Sequence, residues 1–165
     1  MVANEIAVDA SQFRQVLGHY PTGVCIITAR SSDGALFGLA VGSFTSVSLK
    51  PPLVGFFPDN QSSSWPKIRD CGGFCVNIIG RDQLDLCRQF AMPGGNKFEG
   101  VSHRLSPARH PILDDCVAWI DCSLHDEIET GDHSLVLGRV EYLEVDRAEQ
   151  PLLFFRGGYG AFQAT

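Results

Sequence analysis

The chain has 165 residues, 44% of them hydrophobic and 19% charged, which suits one globular domain with a substantial core and argues against disorder. Its formal net charge of −6 argues against a protein that coats nucleic acid, since such proteins present a basic face to the phosphates. No apolar run approaches the ~20 residues of a membrane-spanning helix, and the N-terminal MVANEIAVDA lacks the basic-then-apolar order of a secretory signal.

The segment DASQFRQVLGHYP predicts a first helix, with Phe13, Val16, Leu17 and Tyr20 on one face, Asp9 or Ser11 as its cap and Pro21 as its stop. GVCIITAR reads as a buried strand, and the turn residues Ser31 to Gly34 predict a hairpin into the next segment. That segment, GLAVGSFTSVSLKPPLV (Gly38 to Val54), has strand-forming residues but carries many glycines and serines. Phe44 and Val47 are expected to face the core by alternation. Gly38 and Gly42 are expected to admit a flat ring or another backbone.

LVGFF is a further short strand. DNQSSSWPKIRDCGG predicts a short helix capped by Ser62, Ser63 or Ser64 and stopped by Gly72 and Gly73. FCVNII reads as a strand, and RDQLDLCRQFA as a helix on Leu84, Cys87 and Ala91. Residues 92–113 show no periodicity and read as a long loop. Two alternating strands then flank Gly131-Asp132-His133, and PLLFFRGGYGAF is a last strand with a glycine-rich tail. Six or seven strands, two or three helices and no repeated strand–helix–strand unit predict a mainly β, antiparallel barrel with attached helices.

Three local features can carry chemistry. The serines before Trp65 suit an anion as well as plain capping. Lys97 can reach a phosphate or stay in solvent, with Phe98 anchoring its loop. His133 follows Gly131-Asp132, which is both a hairpin turn and a means of orienting an imidazole. The sequence holds no G-x-G-x-x-G, phosphate-binding P-loop, G-x-S-x-G or H-E-x-x-H motif. None of the six cysteines has C-x-x-C spacing. They read as structural thiols of a cytoplasmic protein rather than metal or redox groups.

In order, PTGVCIIT, GLAVGSFTSVSLKPPLV, the serine cluster, FCVNII, KFEG, GDHSLVLGRV and PLLFFRGGYG resemble the flavin reductase-like family, and within it the short reductases of two-component flavin-dependent monooxygenases. The resemblance spans Phe13 to Tyr159. It implies a six-stranded Greek-key split barrel with added helices, acting as a homodimer. It also implies hydride transfer from NADH or NADPH to FMN or FAD, with reduced flavin diffusing to a separate oxygenase.

By the same resemblance, Ser43, Phe44, Thr45 and Ser46 lie along the flavin ring and ribityl chain, and Ser62, Ser63 and Ser64 hold its phosphate with Lys97 and Phe98 nearby. His133 sits near the nicotinamide, and Arg156 and Tyr159 belong to the segment that closes the pocket. The family often has an acidic residue where Asn96 stands. Such chemistry requires the nicotinamide C4 within about 3–3.5 Å of flavin N5 and a donor for charge developing on the reduced ring, but no protein nucleophile. The alternatives are a barrel that keeps its flavin and reduces another acceptor, and a non-enzymatic flavin- or haem-binding module. NADH is preferred over NADPH, whose 2′-phosphate would call on Arg104, Arg109 or Arg139.

Overall fold

The structure, a computed structural model, describes residues 8–165; residues 1–7, which carry most of the N-terminal leader reading, lie outside it. Helix α1 (Ala10–Leu17) opens on Asp9, whose carboxylate accepts from Gln12 N at 3.1 Å. Strand β1 (Thr22–Gly23) leads into β2 (Cys25–Arg30), which forms a hairpin with β3 (Leu36–Val41) through a turn with Gly34 at φ +94°. β2 is buried on both faces. Ile27 and Ala29 enter one apolar cluster and Val24 and Ile26 a second, which explains its unbroken apolar run.

The part of the stretch Gly38–Val54 before Pro51-Pro52, expected as one strand, is divided between two. β3 ends at Val41, Gly42–Phe44 form a bend, β4 covers Thr45–Leu49, and β5 (Pro52–Phe56) follows the cis Lys50–Pro51 peptide. The main sheet has the order β3-β2-β6-β9-β10-β5-β4, so β3 and β4 are its opposite edges. A short bend can join opposite edges only if the sheet curls until they meet. The sheet has seven strands, two of which come from the one stretch that this bend splits.

Helix α2 (Trp65–Arg69) and β6 (Gly73–Ile78) follow β5. β9 (Ala118–Thr130) and β10 (His133–Val145) are two 13-residue strands joined at Gly131, φ +77°. β5 lies beside β10, although it precedes β6 by a long connection through α2; this is a Greek-key arrangement. The core clusters around Phe56, whose ring meets Trp65 and Phe74 edge-on at 5.4 and 5.3 Å. Helix α3 (Leu84–Ala91) buries Cys87 and Phe90 against the far face of β2.

The expected long loop contains a small hairpin, β7 (His103–Leu105) with β8 (Pro111–Leu113). Its strands are too short to show a period. Buried Asn77 holds it, accepting from Leu113 N at 2.8 Å and donating to Ile26 O and Thr28 Oγ1. The glycine-rich tail is likewise a strand. β12 (Gly158–Ala161) pairs with β11 (Leu152–Phe155) across Arg156 and Gly157, both at positive φ, and β11 pairs with β1. This two-residue turn is the kind that matches strand twist.

Five of the six cysteines are buried. Burial pushes the Cys25, Cys116 and Cys122 thiols up to about 12. Among the described residues no group of three His, Cys, Asp or Glu side chains is placed to hold a metal ion, and no helix is long and apolar enough to cross a membrane.

Gly38 has a packing role rather than an opening for a ring, because a Cβ there would meet the Phe90 ring at 2.3 Å. Gly38→Ala is therefore expected to push α3 off β3 and destabilise the protein by about 1–3 kcal/mol. Urea unfolding monitored by circular dichroism measures this.

Candidate functional site

A groove of about 680 Å³ opens between α1, the end of β3, the bend and the β9–β10 turn. Phe13 and Leu17 of α1, Leu39 and Val41 of β3, Phe57 and Phe154 supply its apolar walls. The apolar face expected to bury α1 thus faces outward. Phe13, Val16, Leu17 and Tyr20 are each more than half exposed. Only the part containing Phe13, Leu17 and Tyr20 borders the groove. Arg156 N donates to Gly18 O at 2.9 Å, and Phe155 packs edge-on to His19, so the last hairpin holds the first helix in place.

Polar groups collect at the other side. The Ser43 hydroxyl accepts from Phe57 N at 2.9 Å and lies 3.3 Å from Phe57 O, which locks the bend to the end of β5. The chain after β5 then continues along the β10 turn: Ser134 N donates to Pro58 O, Asn60 N to Asp132 O and Asn60 Nδ2 to Gly131 O. This fixes Asp59 opposite His133 in an isolated bridge and places both at the groove. His133 Nδ1 is 2.8 Å from Asp132 Oδ1, and this hydrogen bond holds the exposed Asp132 carboxyl below its usual range.

The three serines divide. Ser62 lines the groove, and its hydroxyl accepts from Ser64 N and Trp65 N at 3.3 and 3.2 Å. It therefore holds the turn into α2, whose N-cap Ser64 makes no side-chain cap bond, and these two amides are already engaged. With only five residues in α2 as well, the expected anion site cannot rest on the helix end. Ser63 and Ser64 instead line a second, smaller cavity of about 80 Å³ with Lys67, Gly94, Gly95 and Lys97. Lys97 Nζ donates to Ser64 Oγ at 3.0 Å and to Phe90 O at 2.9 Å. Burial lowers the Lys97 ammonium below its usual range, and the nearby Lys67 charge lowers it further.

The two cavities adjoin along β3, the groove at Leu39–Val41 and the small cavity at Leu36–Gly38. The middles of these two segments are three residues of strand, ~10 Å, apart.

Ser43, Ser62 and His133 thus meet at the groove, and Ser63, Ser64 and Lys97 at the small cavity. The remaining candidates border neither. Phe44 packs against the main core, whereas Val47, expected inward, is 47% exposed on edge strand β4. Thr45 and Ser46 are exposed on the same strand, which has only β5 as a neighbour. Phe98 packs edge-on to Phe90 at 5.1 Å and to His103, anchoring its loop. The Tyr159 hydroxyl faces Cys87 Sγ at 3.6 Å, away from both cavities. Arg104, Arg109 and Arg139 do not border the groove, and Arg104 pairs with Asp146. Lys67 and Asn60 were missed: Lys67 looks like any helix-surface lysine, and Asn60 acts through its partners in the distant turn.

This order of segments has known counterparts. The flavin reductase-like domain model matches residues 17–163. The chain belongs to the flavin reductase-like family. It is 54% identical over 166 aligned positions to a flavin reductase of Pseudomonas putida, covering 99% of this chain and 98% of that one. It is 45% identical to the reductase subunit HsaB of a flavin-dependent monooxygenase of Rhodococcus jostii, over 93% of this chain and 78% of the relative. Among solved structures, the NADH:FAD oxidoreductase SgcE6 of Streptomyces globisporus, in complex with NAD and FAD fragments, superposes with a TM-score of 0.87. The two are 31% identical over 94% of this chain and 93% of that one. The curled sheet is therefore the split barrel of flavin reductases.

Ser62→Ala removes the acceptor for both Ser64 N and Trp65 N, whereas Ser63 has no such duty. The first substitution is expected to cost about 1 kcal/mol and Ser63→Ala only a few tenths. Paired denaturant titrations separate the two.

Proposed function

We propose that the protein is an NADH-dependent flavin reductase that supplies reduced flavin to a separate oxygenase component. The observation that carries this reading is the pairing of an apolar groove with a cationic, hydroxyl-lined cavity that adjoins it along β3. A flavin has the same two ends, a flat apolar ring and a phosphate. The donor set fits: neutral hydroxyls of Ser63 and Ser64, one ammonium held between Ser64 and Phe90, and apolar walls for the ring.

When bound, flavin and nicotinamide supply the hydride chemistry. The chain's residues supply position. The α1 face and Phe57 exclude water from one side of the groove, and the bend locked by Ser43 fixes its floor. Asp132 accepts from Nδ1–H of His133, which leaves Nε2 to accept from a donor such as the carboxamide of the nicotinamide nucleotide. Ser62, at the seam, holds the turn into α2 and keeps Ser63 and Ser64 turned to the phosphate. Neutral donors with a single well-held cation suit a flavin that must leave after reduction.

The exposed apolar face of α1 and the exposed Phe154 and Phe155 support a second copy of the chain packing beside the groove. The six free thiols suit a reducing, cytoplasmic setting.

NADH oxidation at 340 nm is expected to depend on added free flavin. No turnover with FMN, FAD or riboflavin overturns the reading, and a tightly retained flavin that turns over no free flavin favours a barrel that reduces another acceptor. His133→Ala is expected to raise KM for NADH up to about tenfold, the size of one hydrogen bond, with flavin affinity kept. Unchanged NADH kinetics would remove His133 from the site.

A further inference from the structure

Positive charge is scarce where the reductant has to bind. Arg14 is the one lysine or arginine among the described residues that line the groove. Asp59 lines the same groove, and Asp132 stands behind His133, in a chain of net charge −6. The pyrophosphate of a nicotinamide dinucleotide is itself anionic. It meets repulsion along this groove unless Arg14 answers it.

Arg14 is placed for that duty and is not otherwise engaged. It stands exposed in the last turn of α1, at the rim of the groove. Among the described residues it forms no ion pair. Its field nevertheless reaches the Asp132 carboxyl, adding to the larger effect of His133 in holding that group below its usual range. Arg14 and the Asp132–His133 pair therefore face one space. An exposed rim suits a phosphate, which keeps part of its hydration, better than it suits a flat ring. The planar guanidinium fork matches phosphate oxygens two at a time.

We propose that Arg14 holds the pyrophosphate of the nicotinamide dinucleotide at the rim of the groove, and so sets the affinity for NADH without contacting the flavin. His133 orients the nicotinamide, and Arg14 takes the phosphates that follow it. The flavin phosphate has its own place, beside Lys97 and Ser64, in a cavity that Arg14 does not border. This rests on the flavin reductase reading and deepens it by naming the group that meets the charge of the reductant. A reductant without phosphates has no use for Arg14.

The test compares NADH with reduced nicotinamide riboside, which has the same ring and no phosphate, in the full chain with FMN and with riboflavin as acceptors. Wild type is set against Arg14→Gln and Arg14→Lys at low and high salt. FMN binding without reductant is followed by fluorescence quenching. Arg14→Gln is expected to raise KM for NADH about five- to tenfold with either acceptor, the loss of one charge-assisted contact, while kcat stays. KM for the riboside moves less than about twofold. Arg14→Lys recovers part of the loss, and high salt, which screens an exposed charge, narrows the gap between wild type and Arg14→Gln. An unchanged KM for NADH overturns the proposal. An equal rise with the riboside also overturns it, by making Arg14 a support of the helix. So does weakened FMN binding, or a loss with FMN but not with riboflavin, which turns Arg14 to the flavin. In each of these cases turnover of the riboside upholds the reductase. No turnover of either flavin with either reductant overturns the underlying reading and the proposal with it.

Discussion

Everything in this molecule depends on the bend at Gly42–Phe44. It links the two edge strands of one sheet, so the sheet has to curl until β3 and β4 come together. The Ser43 hydroxyl fastens the bend to the Phe57 backbone, where β5 ends. The same short piece of chain thereby closes the barrel and sets the floor of the groove. Gly42 suits the position for a local reason: a Cβ there would come within 3.1 Å of Thr22 Oγ1 on the neighbouring β1.

The groove and the small cavity depend on this closure in different ways. The groove lies outside the barrel and is finished by elements with little core of their own. α1 buries no side chain, and the 58–60 segment is held by hydrogen bonds to the β9–β10 turn. The small cavity lies between the barrel wall and the loop after α3, where Phe98 and Phe90 anchor the chain that carries Lys97. The groove thus has a lightly packed lip, whereas the loop that carries Lys97 is anchored by aromatic packing.

Much of the fold was legible because its signals are local. Asp9 caps the first helix, Gly34 and Gly131 mark hairpin turns, and the unbroken run in β2 reports burial on both faces. The bend at Gly42 was not legible, because its glycines and serines sit among strand-forming residues and nothing local says that the next strand belongs at the opposite edge. β7, β8 and β12 were hidden by their three or four residues, too few for a period to show. For the candidate site, residue type led to cavity-lining positions at His133, Ser64 and Lys97. Phe98 anchors its loop as its type suggests, whereas Tyr159 faces Cys87 away from both cavities and the Thr45 hydroxyl turns to Ser46 O.

The pairing of β1 with β11 sets Thr22 opposite Phe154, joining the beginning of the chain to its end. Strand contacts this distant in sequence form late, because a large loop must close before they bring any return. During synthesis, the barrel strands up to β10 emerge before β11 exists to receive β1 or to fasten α1 through Arg156. The lysine cavity is therefore complete while the groove still lacks one wall. The cationic cavity is thus assembled before the apolar groove, whose last wall arrives with the final dozen or so residues.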